Sequence, residues 1–280
     1  MINDLKATYS NENIDPIRIS QWAIDNLMEK TSPYLQTLMY VKNLEPEQLE
    51  CVYKTKLYIT KTYSDIHNIA ELYGSDDAVS SLKFASYNIE HFLNASTKQI
   101  LKMFGKYNVD IQCDCSESSK NAYLDIRRTS LVLFNLISNS IIHTKNKEKI
   151  IKISAFHRGD DFVLSVSDNG QGIKPGMCEN LFTISDKLLS PKFMDRTSSG
   201  LILTGIGLPV AQKSANDMNG TLKYIPSKSG AVFELSIPQT KHHMTFGEII
   251  NYEPTQYEYE LYFSSAILFL DQAKDLSANK

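Results

Sequence analysis

The segment that most restricts what this chain can become is 131–142, Leu-Val-Leu-Phe-Asn-Leu-Ile-Ser-Asn-Ser-Ile-Ile. Apolar residues occupy nearly every side of it, so a helix here must be covered over most of its circumference. Two alternating runs follow, Ile151/Ile153/Ala155 and Phe162/Leu164/Val166, divided by Arg158-Gly159-Asp160-Asp161. A period of two on either side of such a turn predicts a β-hairpin. The pattern then repeats. A helix from Pro209 to about Met218, stopped by Asn219-Gly220, leads into strands 221–225 and 231–237 around Ser227-Lys228-Ser229-Gly230. Helix, hairpin, helix, hairpin is the order of an α/β sandwich with helices on one face of a mixed sheet. The apolar helix, predicted over 121–143, is its centre; a helical region over 88–104 and a short strand over 108–112 precede it.

The N-terminal part reads differently. Residues 17–44 predict a helix opening after Pro16, with Trp22, Leu27, Leu35 and Leu38 on one stripe. Pro46 opens a second helix, and Glu45, Glu47 and Glu50 suit its positive end. Leu49, Val52, Ile59, Tyr63, Ile66, Ala70 and Tyr73 fall on a heptad seam, spoiled only by Lys56, until Gly74-Ser75-Asp76-Asp77 ends it. A single helical hairpin buries only part of its apolar surface, and pairing two of them into a four-helix bundle completes the burial. A homodimer is therefore expected, with packing of the hairpin on its own C-terminal domain as the alternative. The expected organisation is α+β: a helical hairpin over 14–84, the sandwich over 85–240 and a tyrosine-rich tail over 241–280. Tyr252, Tyr257, Tyr259, Tyr262, Phe263, Ile267, Leu268 and Leu270 make that tail either a partner-binding helix or one docked on its own domain.

Charge and composition narrow the class. Lys and Arg number 29 against 32 Asp and Glu, a net charge of −3. That excludes a generally basic nucleic-acid binder and a strongly acidic disordered chain. No apolar run approaches the roughly 20 residues that cross a bilayer, and the polar opening MINDLKATYSNENID is no secretory signal. Four cysteines, two of them Cys113 and Cys115, lack zinc or disulfide spacing, so a reducing cytoplasm is the expected location.

Three short motifs carry the chemistry. In the first, Asn135 and Asn139 lie four apart on the apolar helix, so their amides share a face. Two neutral oxygen donors there suit a magnesium ion with phosphate oxygens, although two solvent-facing asparagines would show the same pattern. The second, Asp168-Asn169-Gly170-Gln171-Gly172, follows a strand and is a turn. Its carboxylate can also accept from an adenine amine where the glycines let a flat ligand approach. In the third, Thr204-Gly205-Ile206-Gly207-Leu208-Pro209, glycines lead into a helix with Pro209 at its expected first position, a setting that binds phosphate. No Gly-x-x-x-x-Gly-Lys-Ser/Thr occurs, and Val210 stands where a dinucleotide or protein-kinase loop needs glycine.

In this order the motifs resemble the N, G1 and G2 boxes of the GHKL ATPase superfamily, which unites gyrase, Hsp90, histidine kinases and MutL. Within it, residues 87–238 are most similar to the catalytic domain of bacterial sensor histidine kinases, with Leu181-Phe182 in the place of the F box. The resemblance implies ATP and Mg2+ as ligands. Asn139 would coordinate the magnesium, Asn135 would sit beside the phosphates and His143 near the nucleotide. Asp168 would receive the adenine amine, with Gly170 and Gly172 shaping the base pocket. Thr204, Gly205, Gly207 and Leu208 would line the phosphates, and 181–203 would form a mobile lid. Two departures stand out: Ile142 where the family often has lysine, and Leu203 where the G2 box usually opens with another glycine. Lys192 or Arg196 in the lid would be the substitute cation.

The N-terminal hairpin resembles the phosphotransfer bundle of the same kinases, whose first helix bears His-Glu-x-x-Thr/Asn/Ser-Pro. Its best match is Met28-Glu29-Lys30-Thr31-Ser32-Pro33. Glu29 takes the place of the assisting acid, but Met28 replaces the histidine, and a thioether accepts no phosphoryl group. His67 and His91 are the remaining acceptor candidates. The function implied is a histidine-kinase-like signalling protein that binds Mg-ATP and works with a response regulator or other signalling protein. It would act either as a pseudokinase or on an acceptor in another protein. The alternatives are a nucleotide-independent scaffold and a serine kinase of the anti-sigma-factor type, proteins that lack such a hairpin.

Overall fold

The computed structural model describes residues 33–34, 37–41, 44–73, 82–183, 195–196, 202–203, 205–239 and 248–278. The chain divides into two units, Met1–Ala78 and Val79–Lys280. In the first, helix α1 (Pro46–Tyr73) starts at the predicted proline and buries Leu57, Thr60, Lys61, Ser64, Asn68 and Ala70. Lys61 donates to Asp65 one turn on. Of the expected heptad seam only Ala70 is buried; Leu49 and Tyr73 are 40% and 51% exposed. Most of the helix predicted over 17–44, including Met28 and Glu29, lies outside the described residues.

The second unit runs β1 (Phe84–Asn88), α2 (Ile89–Phe104), β2 (Val109–Cys115), β3 (Asn121–Asp125), α3 (Ile126–His143), β4 (Lys149–Arg158) and β5 (Asp161–Asp168). It continues through the short pair β6 (Asp195–Arg196) and β7 (Ile202–Leu203) to α4 (Gly207–Asp217), β8 (Thr221–Ile225), β9 (Val232–Pro238) and α5 (Gln256–Ala278). The main sheet has the order β2-β4-β5-β9-β8. β2 runs parallel to β4 and the other pairs are antiparallel, so the sheet is mixed as expected. Register aligns Ile153 with Val166 and Phe233, and Ala155 with Leu164 and Leu235. These rows form the buried layer beneath the helices.

Two sequence expectations are corrected here. The helix predicted over 121–143 begins only at Ile126: residues 121–125 are β3, which pairs with β1 in a separate antiparallel ribbon. Ala122 and Leu124 are buried at a period of two, and Asp125 then caps α3 by accepting from the Arg128 N–H at 3.0 Å. The helix predicted from Pro209 begins at Gly207, so proline is its third residue.

The described part of the tail, residues 248–278, is packed on its own unit. Tyr259, Tyr262 and Phe263 of α5 surround Phe134 of α3 with ring centroids 5.3, 5.4 and 5.6 Å away. Ahead of α5, Ile250 pairs with β1, donating to the Ser86 carbonyl at 2.9 Å and accepting from Asn88 N–H at 3.0 Å. Helix α3 is thus enclosed between the sheet and α5, which answers its apolar circumference. No helix among the described residues is long and apolar enough to cross a membrane.

Candidate functional site

The cap at Asp125 sets the phase of α3, and that phase puts Asn135 and Asn139 on one side while Phe134 enters the aromatic cluster. The Asn135 Nδ2 donates to the Leu131 carbonyl at 2.9 Å, which orients its amide oxygen outward. That oxygen faces Gly207: a Cβ on Gly207 would stand 2.7 Å from it. Glycine is therefore required for α4 to start this close to α3. Among the described residues no side chain caps the first turn of α4, which lies beside Asn135. The half-buried Asn139 amide has no hydrogen-bond partner among the described residues.

One turn further along α3, contacts with the second motif begin. Asp168 closes β5, and its Oδ1 accepts from the Gly170 N–H at 2.8 Å and the Ala231 N–H at 3.1 Å. Its Oδ2 accepts from Ser140 Oγ at 3.3 Å, a long bond that leaves acceptor capacity on that oxygen. Gly230 has φ +71°, and a Cβ there would run into the Asp168 carbonyl. The turn and the entry to β9 close on each other only because that position carries no side chain. Gly172 abuts the same residue. Asn169 ties the turn to the loop after α3: Oδ1 accepts from Ile150 N–H and Nδ2 donates to the Glu148 carbonyl, both at 3.0 Å.

His143 lies at the end of α3. Its ring keeps solvent contact, yet local desolvation holds its pKa below the ordinary imidazole value, against the pull of the Asp168 carboxylate. Buried Lys149 donates to the Thr144 carbonyl at the helix C-terminus, and burial lowers its pKa as well.

The structure therefore joins the three motifs through α3: Asn135 meets Gly207, and Ser140, next to Asn139, binds Asp168. Leu208 is partly buried as the second residue of α4, Gly205 is exposed with φ +65°, and Thr204 lies outside the described residues, as does Lys192. Ile142 is 8% exposed and belongs to the core, so no cation stands at that position. Of the acceptor candidates, His67 is half-buried on α1 beside Tyr63, and His91 pairs through Nε2 with Glu253 at 2.9 Å. Sequence reasoning missed Ser140, Thr144 and Asn169. The available signal was two hydroxyls at i and i+4 closing an apolar helix. Among the described residues no group of three or more His, Cys, Asp or Glu side chains could hold a metal.

Residues 124–241 match the family described as histidine kinase-, DNA gyrase B-, and HSP90-like ATPase. They form a GHKL-type ATPase domain of the histidine-kinase kind. The sensor histidine kinase MtrB of Mycobacterium tuberculosis is 26% identical over 179 residues, covering 64% of this chain and 30% of that protein. The sensor histidine kinase ZraS of Salmonella typhimurium is 28% identical over 160 residues, covering 56% and 32%. The chain thus spans about a third of the length of these relatives. Acinetobacter baumannii histidine kinase AdeS is similar in fold, with a TM-score of 0.51 at 20% identity, covering 76% of this chain and 98% of that one. Full-length ShkA in complex with AMPPNP has a TM-score of 0.55 at 16% identity, covering 82% and 47%.

Proposed function

We propose that the ATPase domain binds Mg-ATP along α3, with the base at Asp168 and the phosphates at the start of α4. The observation that carries this reading is that one helix reaches both glycine motifs, through Asn135 at Gly207 and Ser140 at Asp168. Asp168 Oδ2 accepts the adenine amine, a charge-assisted bond of about 1.5–3 kcal/mol when dry. Gly170 and Gly172 form the wall against the base. Open N–H groups of α4, with Gly205, Gly207 and Leu208 and the neighbouring Thr204, face the phosphates. Asn139 supplies an amide oxygen to magnesium, whose remaining ligands are phosphate oxygens and water. The donor set fits: the Asn139 amide lacks a partner among the described residues, and the cradle at Gly207 admits no side chain. When bound, ATP supplies a transferable γ-phosphoryl group.

ATP should raise the thermal midpoint in a magnesium-dependent way, and Asp168→Asn should abolish that rise. No ATP effect on the wild-type chain would defeat the assignment.

The relatives' names support a signalling role, with a response regulator as the expected partner and a homodimer as the working form. The exposed ends of the α1 seam, Leu49 and Tyr73, support a second copy as its cover. Met28 in the matched acceptor position, beside Glu29, supports phosphoryl transfer to another protein or ATP-driven shape change without transfer. Incubation with γ-labelled ATP decides: label on the chain that disappears in His67→Gln or His91→Gln would overturn this. Neither the nucleotide-independent scaffold nor the anti-sigma-type serine kinase is favoured by the relatives.

A further inference from the structure

Thr144 lies at this site, and the nucleotide reading does not use its chemistry. It is the C-cap of α3, its N–H donating to the Ser140 carbonyl at 3.1 Å, and it is 2% exposed. Its hydroxyl is buried without a hydrogen-bond partner among the described residues, although its own carbonyl is taken by Lys149. A buried, unpaired hydroxyl is unfavourable, and its persistence in a folded chain calls for a reason. Its surroundings point to one. A Cβ on Gly170 would stand 3.0 Å from Thr144 Oγ1 and 2.9 Å from Asp168 Oδ1. The hydroxyl and the carboxylate thus both crowd the position that a side chain on residue 170 would take. Oδ1 itself accepts from the Gly170 and Ala231 N–H groups.

We propose that Thr144 is a positioning residue for Asp168, its hydroxyl pairing with the carboxylate when a purine nucleotide is bound. This inference rests on the assignment of Asp168 to the base. When the amine of the base engages Oδ2, Oδ1 keeps its two N–H donors and accepts from the Thr144 hydroxyl as well. The small step at Gly170 that brings the two oxygens together is possible because glycine occupies that position. The hydroxyl then contributes to nucleotide affinity and contributes nothing to the stability of the ligand-free chain. Because it acts at the base end, its contribution is the same for ATP, ADP and AMP.

The test compares Thr144→Val, isosteric but without the hydroxyl, with Thr144→Ser, which retains it. Thermal melts and calorimetric titrations use the full chain with ATP, ADP and AMP. The valine variant should melt at or above the wild-type midpoint without nucleotide, yet bind all three nucleotides about three- to tenfold more weakly; the serine variant should restore most of the affinity. A valine variant that melts lower without nucleotide but binds normally would show the hydroxyl to be structurally paired, and would overturn the proposal. So would unchanged affinity at an unchanged midpoint, or a loss confined to ATP. If the wild-type chain binds none of the nucleotides, the assignment of the site itself fails, and that outcome is distinct from the others.

Discussion

The base end and the phosphate end of the site are built in opposite ways. Around Asp168 almost every group is engaged before any ligand arrives: two backbone N–H groups and Ser140 hold the carboxylate, and Asn169 fastens the turn to the neighbouring loop. Around Asn139 and the start of α4, an amide lacks a partner and a helix terminus lacks a side-chain cap among the described residues. A ligand-ready pocket can therefore be rigid at one end and incomplete at the other. The rigid end fixes orientation with little reorganisation, and the incomplete end leaves polar groups for a charged ligand to satisfy.

Substitutions sharpen that contrast. Gly230→Ala should have the largest effect, because it adds a Cβ against the Asp168 carbonyl at a positive φ. A loss of at least about 2 kcal/mol in denaturant unfolding is expected. Asp168→Asn comes next: two backbone donors lose a charged acceptor, lowering ligand-free stability by about 1–3 kcal/mol and removing the response to ATP. At the other end, Asn139→Ala should leave the ligand-free midpoint within about 0.5 kcal/mol of wild type, while the magnesium-dependent part of the ATP response disappears. Equal destabilisation of the ligand-free chain by Asn139→Ala and Asp168→Asn would break the comparison.

The smallest effect concerns acid. The folded His143 resists protonation, so below the ordinary imidazole pKa of about 6.5 the unfolded chain binds more protons than the folded one. Stability contributed by the neutral ring is present above that pH and is lost as pH falls toward the depressed folded value. Urea titrations from pH 7.5 to 5 should show this slope in the wild type and a shallower one in His143→Gln.

How far the sequence revealed this arrangement depended on whether the signal was local. Both main hairpins were legible because period-two runs flank short turns. The α2 boundary was legible as well, since Asn88 caps it through a bond to the His91 N–H at 3.0 Å. β3 was not. Asn121 to Asp125 run into an apolar helix with no glycine or proline between, and their strand character arises from pairing with Phe84 to Asn88, far back in the chain. The same holds within the site. Asn135, Asp168 and Gly207 sit in recognisable motifs, whereas Ser140 and Thr144 acquire meaning only when α3 is laid against the β5 turn. The helix start at Gly207 rather than Pro209 reflects the close approach to Asn135, a tertiary constraint that proline preference alone does not contain.

The docking of α5 on α3 has a practical side. A chain trimmed at residue 241, where the family match stops, would strip the aromatic cover from Phe134 and expose apolar surface directly behind the asparagine-bearing face. Such a truncation should clump during expression or purification, and a failed nucleotide assay on it would report damaged protein instead of an inactive one.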